Sequence, residues 1–265
     1  MPVARVEATA SGLAWYTFTG EPLDMHPGFV HAMFTRLGGV SQGAYASLNL
    51  GGTVGDSPAA VHANLGRVAG ILDIRETQIV SPRQVHGNRV APVTPQDGGT
   101  VIPDTDALIT DQPGVALLLR FADCVPVLFY DPVHRAAGLA HAGWRGVAAE
   151  VAPATVSAMV DHFGTAPEAL WAGIGPCIGP DHYVVGEEVV TAIQATLPAG
   201  VQVAEKDQTT WTIDLASAVK AQLHATGVSR VDLAGMCTAC NTEEWYSHRG
   251  ERGHTGRFGV AVMLR

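Results

Sequence analysis

The chain has 265 residues, of which 47% are hydrophobic and only 15% charged, and its formal net charge is −9. A chain of this length and composition can bury a substantial core, which excludes a largely disordered protein. Because lysine and arginine form no cluster, the composition argues against binding to a nucleic-acid backbone. A small anionic ligand, which needs only two or three placed arginines, stays possible.

Neither export nor membrane insertion is indicated. The first residues lack the basic and apolar regions of a signal peptide, and no apolar run approaches the roughly 18 residues that a membrane span needs. Four cysteines are too few for a disulfide scaffold in a chain of this length. We therefore expect a cytoplasmic protein with reduced thiols and no membrane segment.

Strand-like and helix-like segments alternate irregularly along the chain. Most strands arrive in hairpin-like groups, which favours an α+β fold with mixed or antiparallel sheets over a doubly wound array. The last helix should begin after Asp214 as N-cap and end before Gly227. The predicted strands are Gly28–Phe34, Val115–Leu119, Val125–Tyr130, Ala136–His141, Ala169–Ile174, Thr210–Asp214, Arg230–Ala234 and Phe258–Leu264; the predicted helices are Ala59–Gly70, Gly146–Phe163, Gly186–Leu197 and Leu215–Thr226.

The most informative segment is a predicted hairpin that carries Cys124 at one end and His141 at the other. If its turn is centred between Pro132 and Val133, Cys124 lies directly opposite His141, with Cβ atoms roughly 4.5–5.5 Å apart. A register shifted by one residue would place the two side chains on opposite faces of the sheet. In the favoured register, a thiolate and an imidazole share one site.

A metal at this site would need a third protein ligand. His86, within Gln84-Val85-His86-Gly87, follows the short apolar run at residues 78–81 and should lie where a strand enters a loop. Two imidazoles and one thiolate suit Zn²⁺ with one open position for water. Without a metal, Cys124 would instead be a nucleophile, with His141 as its base and Asp123 or another acid orienting the imidazole.

Arginines near glycine turns are candidates for anion binding. Arg36 precedes Gly38 and Gly39, whose backbone allows an anion to approach closely, and Asn49 could add an amide contact. Arg145 follows Trp144 near the first turn of a predicted helix, where a dipole also favours anions.

Other cysteines and arginines remain unassigned. Cys237 and Cys240 have the spacing of redox and metal sites, but the segment after them lacks the strand-to-helix context of a thioredoxin-like motif, so we expect neither role. Arg249 and Arg257, which lead into the last strand, are further candidates to complete an anion site, and the sequence assigns no role to Cys177.

The motifs together resemble those of the YfiH-type laccase-domain family, also described as multicopper polyphenol oxidoreductases or peptidoglycan editing factors. The resemblance covers about residues 29–264, and many relatives have Thr at the position of Phe121. It rests on Thr35-Arg36-Leu37-Gly38-Gly39-Val40-Ser41, Ser47-Leu48-Asn49-Leu50-Gly51, Gln84-Val85-His86-Gly87, Asp106-Ala107-Leu108-Ile109-Thr110, Ala122-Asp123-Cys124-Val125-Pro126, His141-Ala142-Gly143-Trp144-Arg145-Gly146, Gly175-Pro176-Cys177-Ile178, Cys237-Thr238, Ser247-His248-Arg249 and Thr255-Gly256-Arg257.

The resemblance implies a single catalytic domain over residues 1–265, a four-layer α/β/β/α sandwich with mixed, largely antiparallel sheets, and a monomer. It implies zinc ligands at His86, Cys124 and His141, which agrees with the trio chosen from the residues, and copper as a possible substitute. Family members are described as purine nucleoside phosphorylases with adenosine deaminase activity. We infer purine nucleosides and inorganic phosphate as partners, with phosphate held by Arg36 or Arg145, and methylthioadenosine as a further candidate substrate.

Other activities stay open at this stage. A Cys–His amidase acting on peptidoglycan precursors would use Cys124 without a metal, and a non-catalytic binding module would tolerate its loss. A copper polyphenol oxidase is disfavoured because the trinuclear sites of true laccases use paired H-x-H motifs, and none occurs in this sequence.

Overall fold

The computed structural model describes residues 3–9 and 12–265, and its strands and helices build three sheets flanked by helices. The helices are α1 (Pro58–Leu72), α2 (Trp144–Ala148), α3 (Val151–Phe163), α4 (Glu187–Gln194) and α5 (Leu215–Ala225). The strands are β1 (Val3–Ala8), β2 (Leu13–Phe18), β3 (Phe29–Phe34), β4 (Ile79–Pro82), β5 (Val90–Pro92), β6 (Val101–Ile102), β7 (Ala107–Thr110), β8 (Ala116–Phe121), β9 (Val125–Asp131), β10 (Ala136–Ala142), β11 (Trp171–Ile174), β12 (Val184–Val185), β13 (Ala204–Asp207), β14 (Thr210–Ile213), β15 (Arg230–Leu233) and β16 (Phe258–Leu264).

Two large mixed sheets form the centre of the molecule. The first has seven strands in the order β1-β2-β3-β16-β8-β4-β6, in which β4 runs parallel to both of its neighbours. The second has six strands in the order β15-β11-β9-β10-β7-β5, with parallel pairs at its two edges. A small antiparallel sheet, β12-β14-β13, forms no strand pair with either large sheet among the described residues.

Three hydrophobic clusters show how the layers stack. Val68 and Leu72 of α1 pack with Leu118 on the outer face of the seven-stranded sheet. The inner faces of the two large sheets meet in a second cluster that includes Leu117 and Leu139. The third cluster lies where helices α3 and α5 cover the outer face of the six-stranded sheet. Since sheet strands alternate their side chains between faces, each sheet contributes to two clusters. The predicted α/β/β/α sandwich is confirmed.

Most predicted elements exist with ends shifted by a few residues. Asp214 caps α5 by accepting a hydrogen bond from the Ser217 amide (3.0 Å), and Gly227 adopts a positive φ of 95° just after its end, as predicted. The prediction of one long helix over Gly146–Phe163 is wrong, because the helix is interrupted between α2 and α3 at Glu150, whose φ is 59°. No helix among the described residues is long and apolar enough to cross a membrane.

The central hairpin forms, but in a different register from the predicted one. β9 and β10 pair so that His141 lies opposite Pro126 rather than Cys124. The centre of the turn therefore lies one residue further along the chain, and the turn includes Arg135 at a positive φ of 53°. Asp131 organises this turn, because its Oδ1 accepts hydrogen bonds from the amides of Val133 (2.8 Å) and His134 (3.2 Å). The sum of paired residue numbers shifts by two and not by one, so the side chains of Cys124 and His141 stay on the same face of the sheet.

Candidate metal centre

Three separate segments bring His86, Cys124 and His141 together. His86 follows β4 in a loop where its φ is 62°, Cys124 directly precedes β9, and His141 is the penultimate residue of β10. One ligand atom from each lies within 4.8 Å of the others. The ring centroids of the two histidines are 4.9 Å apart in an edge-to-face arrangement. The structure thus assembles the trio that the sequence singled out, although the ion itself stays a prediction.

Asp106 fixes two of the three segments at once. Its buried carboxylate accepts a hydrogen bond from Nδ1 of His141 (Oδ1, 3.0 Å). The same carboxylate accepts from the backbone amides of Val85 (3.1 Å), His86 (2.9 Å) and Gly87 (2.8 Å). A carboxylate on one ring nitrogen holds the proton there and turns the other nitrogen, Nε2, toward the metal side. Asp106 therefore orients His141 and shapes the loop of His86.

The charged forms of Cys124 and His141 stabilise each other. Burial alone would raise the pKa of the Cys124 thiol, but the charge of His141 and hydrogen bonds to both histidines outweigh it and lower the pKa to about 6. Burial would likewise lower the pKa of His141, but the Cys124 thiolate and Asp106 raise it to about 9. Near neutral pH the pair is therefore a thiolate and an imidazolium, and the thiolate is the form that binds metals.

Asp123 has a bracing role that excludes it as the acid behind His141. Its φ is 81°, and both carboxylate oxygens accept hydrogen bonds, from Thr238 Oγ1 (2.7 Å) and from the Arg249 amide (2.6 Å). These bonds tie the Cys124 segment to two distant loops. The sequence left Asp123 or another acid open for the orienting role, and the structure places that other acid, Asp106, against His141.

The donor set and the space around it fit a metal ion. One thiolate and two imidazoles are characteristic ligands of Zn²⁺ in sites that keep an open position. Gly143 passes so close that a Cβ there would lie 2.9 Å from Cys124 Sγ and 2.9 Å from His86 Cδ2. Its φ of −72° is ordinary, so the requirement for glycine at this position is one of space. Behind the centre, the ring of buried Phe121 packs 5.5 Å from that of His141.

The trio lies on the wall of a cavity of about 800 Å³, a size typical of small-molecule sites. Trp144, Tyr183 and His248 give this cavity aromatic surfaces, and Asp123 is its one acidic residue. Its cationic lining is unusual for a chain with a net charge of −9. The lining arginines are Arg83, Arg120, Arg145, Arg249 and Arg257. Such a lining attracts anions and concentrates them at the centre.

Arg36 does not reach this cavity. Its side chain is 12% exposed, and its guanidinium donates to the backbone oxygens of Ala46 (2.7 Å) and Thr242 (2.6 Å). It also pairs with Glu251 at 3.0 Å and lies 4.3 Å over the ring of Tyr246. These contacts join the N-terminal motif to the loop before β16. The sequence-based prediction that Arg36 holds phosphate finds no support in this placement.

Of the other two proposed anion ligands, Asn49 lies outside the cavity lining and Arg145 is part of it. Asn49 is fully buried, and its Oδ1 accepts hydrogen bonds from the amides of Gly51 (2.9 Å) and Arg257 (2.8 Å). It therefore positions Arg257 instead of lining the cavity. Arg145 does line it, with its guanidinium 4.3 Å over the ring of Trp144. However, α2 has only five residues, so no helix dipole of useful length accompanies this arginine.

Sequence reasoning missed Asp106 as an orienting residue and the cavity positions of Arg120 and Tyr183, and it named Arg249 and Arg257 only as candidates for an anion site. Asp106 immediately precedes β7, which pairs with β10. A polar residue directly before an apolar strand was a signal that could have marked it. The arginines carried no comparable signal, because their placement depends on contacts between distant segments.

The layered sheets and the trio of His and Cys side chains match what the resemblance to the laccase-domain family implied. Comparison with known proteins points to the same family. A family model described as "Multi-copper polyphenol oxidoreductase laccase" matches residues 30–265. The chain therefore belongs to this laccase-domain family, the family that the sequence motifs indicated.

Relatives of this chain carry a different activity in their names, and a solved structure shares its fold. The purine nucleoside phosphorylase YlmD of Geobacillus stearothermophilus is 39% identical over 249 residues, which cover 90% of this chain and 91% of that protein. A purine nucleoside phosphorylase of Deinococcus radiodurans is 38% identical, covering 94% and 95%. The crystal structure of YlmD from Geobacillus stearothermophilus matches with a TM-score of 0.91 at 37% identity, covering 95% of this chain and 96% of that one.

Proposed function

We propose that this protein is a zinc-dependent purine nucleoside phosphorylase, which converts a purine nucleoside and inorganic phosphate into the free base and ribose 1-phosphate. The observation that carries the proposal is the position of His86, Cys124 and His141 on a cavity lined by five arginines and one aspartate. The names of relatives at 35–40% identity support the same activity.

The cavity has features that suit both substrates. A cavity of about 800 Å³ has room for a nucleoside beside phosphate. The aromatic faces of Trp144 and Tyr183 can pack against a purine base. Among the arginines we assign phosphate to Arg257 and Arg145. Arg257 lies close enough to Cys124 and Asp123 for their charges to raise its pKa, although burial, the larger effect, lowers that pKa overall.

In the proposed reaction, a phosphate oxygen forms a bond to C1′ while the C1′–N9 bond breaks and its electron pair goes to the purine. Arg257 and Arg145 hold the phosphate in line and neutralise its charge, which lowers the barrier most where charge develops. Within the guanidinium of Arg257, only Nη1 hydrogen-bonds to the described residues, by donating to the carbonyls of Thr255 (3.1 Å) and Gly256 (2.8 Å). The rest of that guanidinium is available for phosphate.

His86, Cys124 and His141 would hold zinc, which supplies Lewis-acid chemistry when bound. Asp106 keeps the proton on Nδ1 of His141, so that Nε2 is the metal-facing atom. We further propose that the same centre deaminates adenosine, with water replacing the 6-amino group to give inosine and ammonia. Methylthioadenosine is a third candidate substrate, and copper is a possible substitute for zinc at these N and S ligands.

Product analysis of the zinc-loaded protein tests the proposal. Adenosine and inosine are each incubated with and without phosphate, and products are identified by mass spectrometry. We expect ribose 1-phosphate only with phosphate, and its loss in Cys124→Ala but not in the matched control Cys240→Ala, whose thiol is exposed and outside the cavity. No turnover of either nucleoside by the wild type contradicts the proposal.

The assignment of phosphate to Arg257 has its own test. Arg257→Ala should raise the phosphate KM by about tenfold or more, with deamination of adenosine unchanged, while the exposed Arg230→Ala serves as control. Arg36→Ala should impair both activities together, because Arg36 joins two loops instead of contacting substrate. A phosphate-specific defect in Arg36→Ala alone would return the role to that residue.

A second candidate function is a Cys–His hydrolase acting on amides such as peptidoglycan precursors. The observation that favours it is the thiolate of Cys124 beside His141, with Asp106 orienting the imidazole. This activity predicts an acyl intermediate on Cys124 in protein stripped of metal by a chelator. Nucleoside turnover that disappears on chelation and returns with zinc supports the phosphorylase instead.

A further inference from the structure

A second cluster of metal-binding side chains lies outside the cavity. Cys237 and Cys240 form a turn after β15, and His182 ends the short 3-10 turn that precedes β12. One ligand atom from each of the three lies within 4.8 Å of the others. The C-x-x-C spacing is visible in the sequence, but the third donor is 55 residues from Cys237 along the chain and joins the cysteines only in the fold.

The backbone around this cluster holds its donors in place. Residues 177 and 237 form a parallel bridge, in which the Cys177 amide donates to Met236 O (3.2 Å) and the Thr238 amide donates to Cys177 O (3.0 Å). The side chain of Asn241 also donates to Cys237 O at 2.9 Å. The two chain segments that supply the ligands are therefore fixed side by side.

The donors already have the geometry of a ligand set. His182 Nε2 lies 3.1 Å from Cys240 Sγ, and Cys237 Sγ accepts a hydrogen bond from the Gly179 amide at 3.1 Å. In a tetrahedral zinc site, ligands at about 2.0–2.3 Å from the ion are separated from each other by roughly 3.3–3.8 Å. Small adjustments of exposed side chains reach that spacing, because His182 and Cys240 are both on the surface.

We propose that His182, Cys237 and Cys240 form a second zinc site, independent of the cavity. Two thiolates and one imidazole favour Zn²⁺ among the common divalent ions, and water would complete the coordination from the exposed side. The proposal does not depend on the nucleoside chemistry proposed above. Its role is structural: the turn that carries Cys237 and Cys240 also carries Thr238, whose hydroxyl donates to Asp123 at 2.7 Å, next to Cys124.

Cobalt and zinc titration of the reduced protein tests this site. The Cys124→Ala variant removes the cavity thiolate and isolates the second cluster. We expect this variant, kept in a thiol-free phosphine reductant, to bind one equivalent of Co²⁺ with thiolate charge-transfer bands and tetrahedral d–d bands, and Zn²⁺ to displace it. The double variant Cys124→Ala/Cys240→Ala should lose these bands, and its affinity should fall by more than the roughly 10–100-fold that follows loss of an outer contact.

Matched variants separate ligand loss from misfolding. His182→Gln in the Cys124→Ala background should weaken binding, whereas His162→Gln, an exposed histidine on α3, should leave it unchanged. Zinc should also raise the thermal unfolding midpoint of Cys124→Ala but not of the double variant, since an ion that binds only the folded state stabilises it. Absence of bound cobalt in a folded Cys124→Ala protein, or binding that survives loss of Cys240, overturns the proposal. Preference for Cu⁺ with no measurable zinc binding would overturn it as well.

Discussion

The two His/Cys clusters use the same kinds of side chain in opposite surroundings. In the cavity cluster (His86, Cys124, His141), His141 is 3% exposed and hydrogen-bonded to a fully buried carboxylate, Asp106. In the surface cluster (His182, Cys237, Cys240), the histidine and one cysteine are exposed, and His182 hydrogen-bonds within the cluster itself.

In the functions proposed above, this difference separates a reactive centre from a structural one. Asp106 holds the Nδ1 proton of His141, and the charge of His141 opposes the effect of burial and lowers the pKa of the Cys124 thiol to about 6. In the surface cluster the pKa of Cys240 is raised, most by its hydrogen bond with Cys237 and less by burial and by the charge of Cys237. Ligand type alone therefore does not identify a catalytic metal site; the charges that surround the ligands do.

Removing one histidine from each cluster should give the largest contrast. His141→Ala removes a ligand and the partner of the Cys124 thiolate, and we expect phosphorolysis of inosine to fall by about 10³-fold. His182→Ala should leave turnover within about twofold of the wild type at low temperature. Steady-state kinetics of both zinc-loaded variants checks this, and equal losses would contradict the division of roles.

Asp106→Asn should have the next largest effect. The amide cannot hold the proton on His141 Nδ1 in the same way, and it disturbs the three backbone amides that the carboxylate binds. We expect zinc affinity of the cavity cluster and turnover to fall by about 10–100-fold. The control is Asp104→Asn, two residues away, which only removes the exposed pair with Arg83. Competition with a chelator measures the affinity, and unchanged binding in Asp106→Asn would contradict an orienting role.

Gly143→Ala should impair the cavity cluster by about tenfold. The new Cβ would lie 2.9 Å from both Cys124 Sγ and His86 Cδ2, so the ligands must move by a few tenths of an ångström. Displacements approaching 1 Å cost on the order of 100-fold in rate, so roughly half that distance accounts for tenfold. Gly70→Ala on α1, where a Cβ meets open space, is the control. Full activity in Gly143→Ala would show that the centre tolerates wider spacing.

Thiol reactivity gives the smallest contrast but the clearest pH dependence. In metal-free protein, Cys124 should be alkylated with a midpoint near pH 6, and Cys240 should require a higher pH than an ordinary thiol, because the thiolate is the nucleophile and forms as pH rises through each pKa. At pH 7 Cys124 should react faster than Cys240 by only a few-fold, because the lower basicity of its thiolate also reduces its nucleophilicity. Mass-spectrometric peptide mapping with iodoacetamide follows both, and a shared midpoint would contradict the proposed electrostatics.

Sequence reasoning succeeded where the information is local. The cavity trio follows from residues at strand ends, and the layered fold follows from the pattern of strands and the family resemblance. The hairpin register was wrong because Arg135 takes a left-handed conformation and the centre of the turn lies one residue further along the chain. The shift of two in the paired numbers kept Cys124 and His141 on one face, so the site survived the error.

Contacts between distant segments explain the rest. Arg36 resembled an anion ligand in its glycine-rich setting, but its partners Thr242 and Glu251 lie more than 200 residues away in the sequence. Asp106 reaches His141 only because β7 pairs with β10. These two contacts depend on tertiary packing and leave no local pattern. The break between α2 and α3 at Glu150 is different, because Pro153 in the first turn of α3 is a local signal against one continuous helix.

The left-handed residue Asp123 has a consequence for anyone who would redesign the substrate range. Its two carboxylate oxygens bind Thr238 and the Arg249 amide, and the next peptide unit carries Cys124. The loop between residues 236 and 257 supplies several cavity residues and is the natural target for grafting from a relative. Because Asp123 joins that loop to Cys124, the proposed metal ligand, we expect its exchange to change specificity and metal affinity together. Selection for one alone then requires that Thr238 and the Asp123 contacts be carried over unchanged.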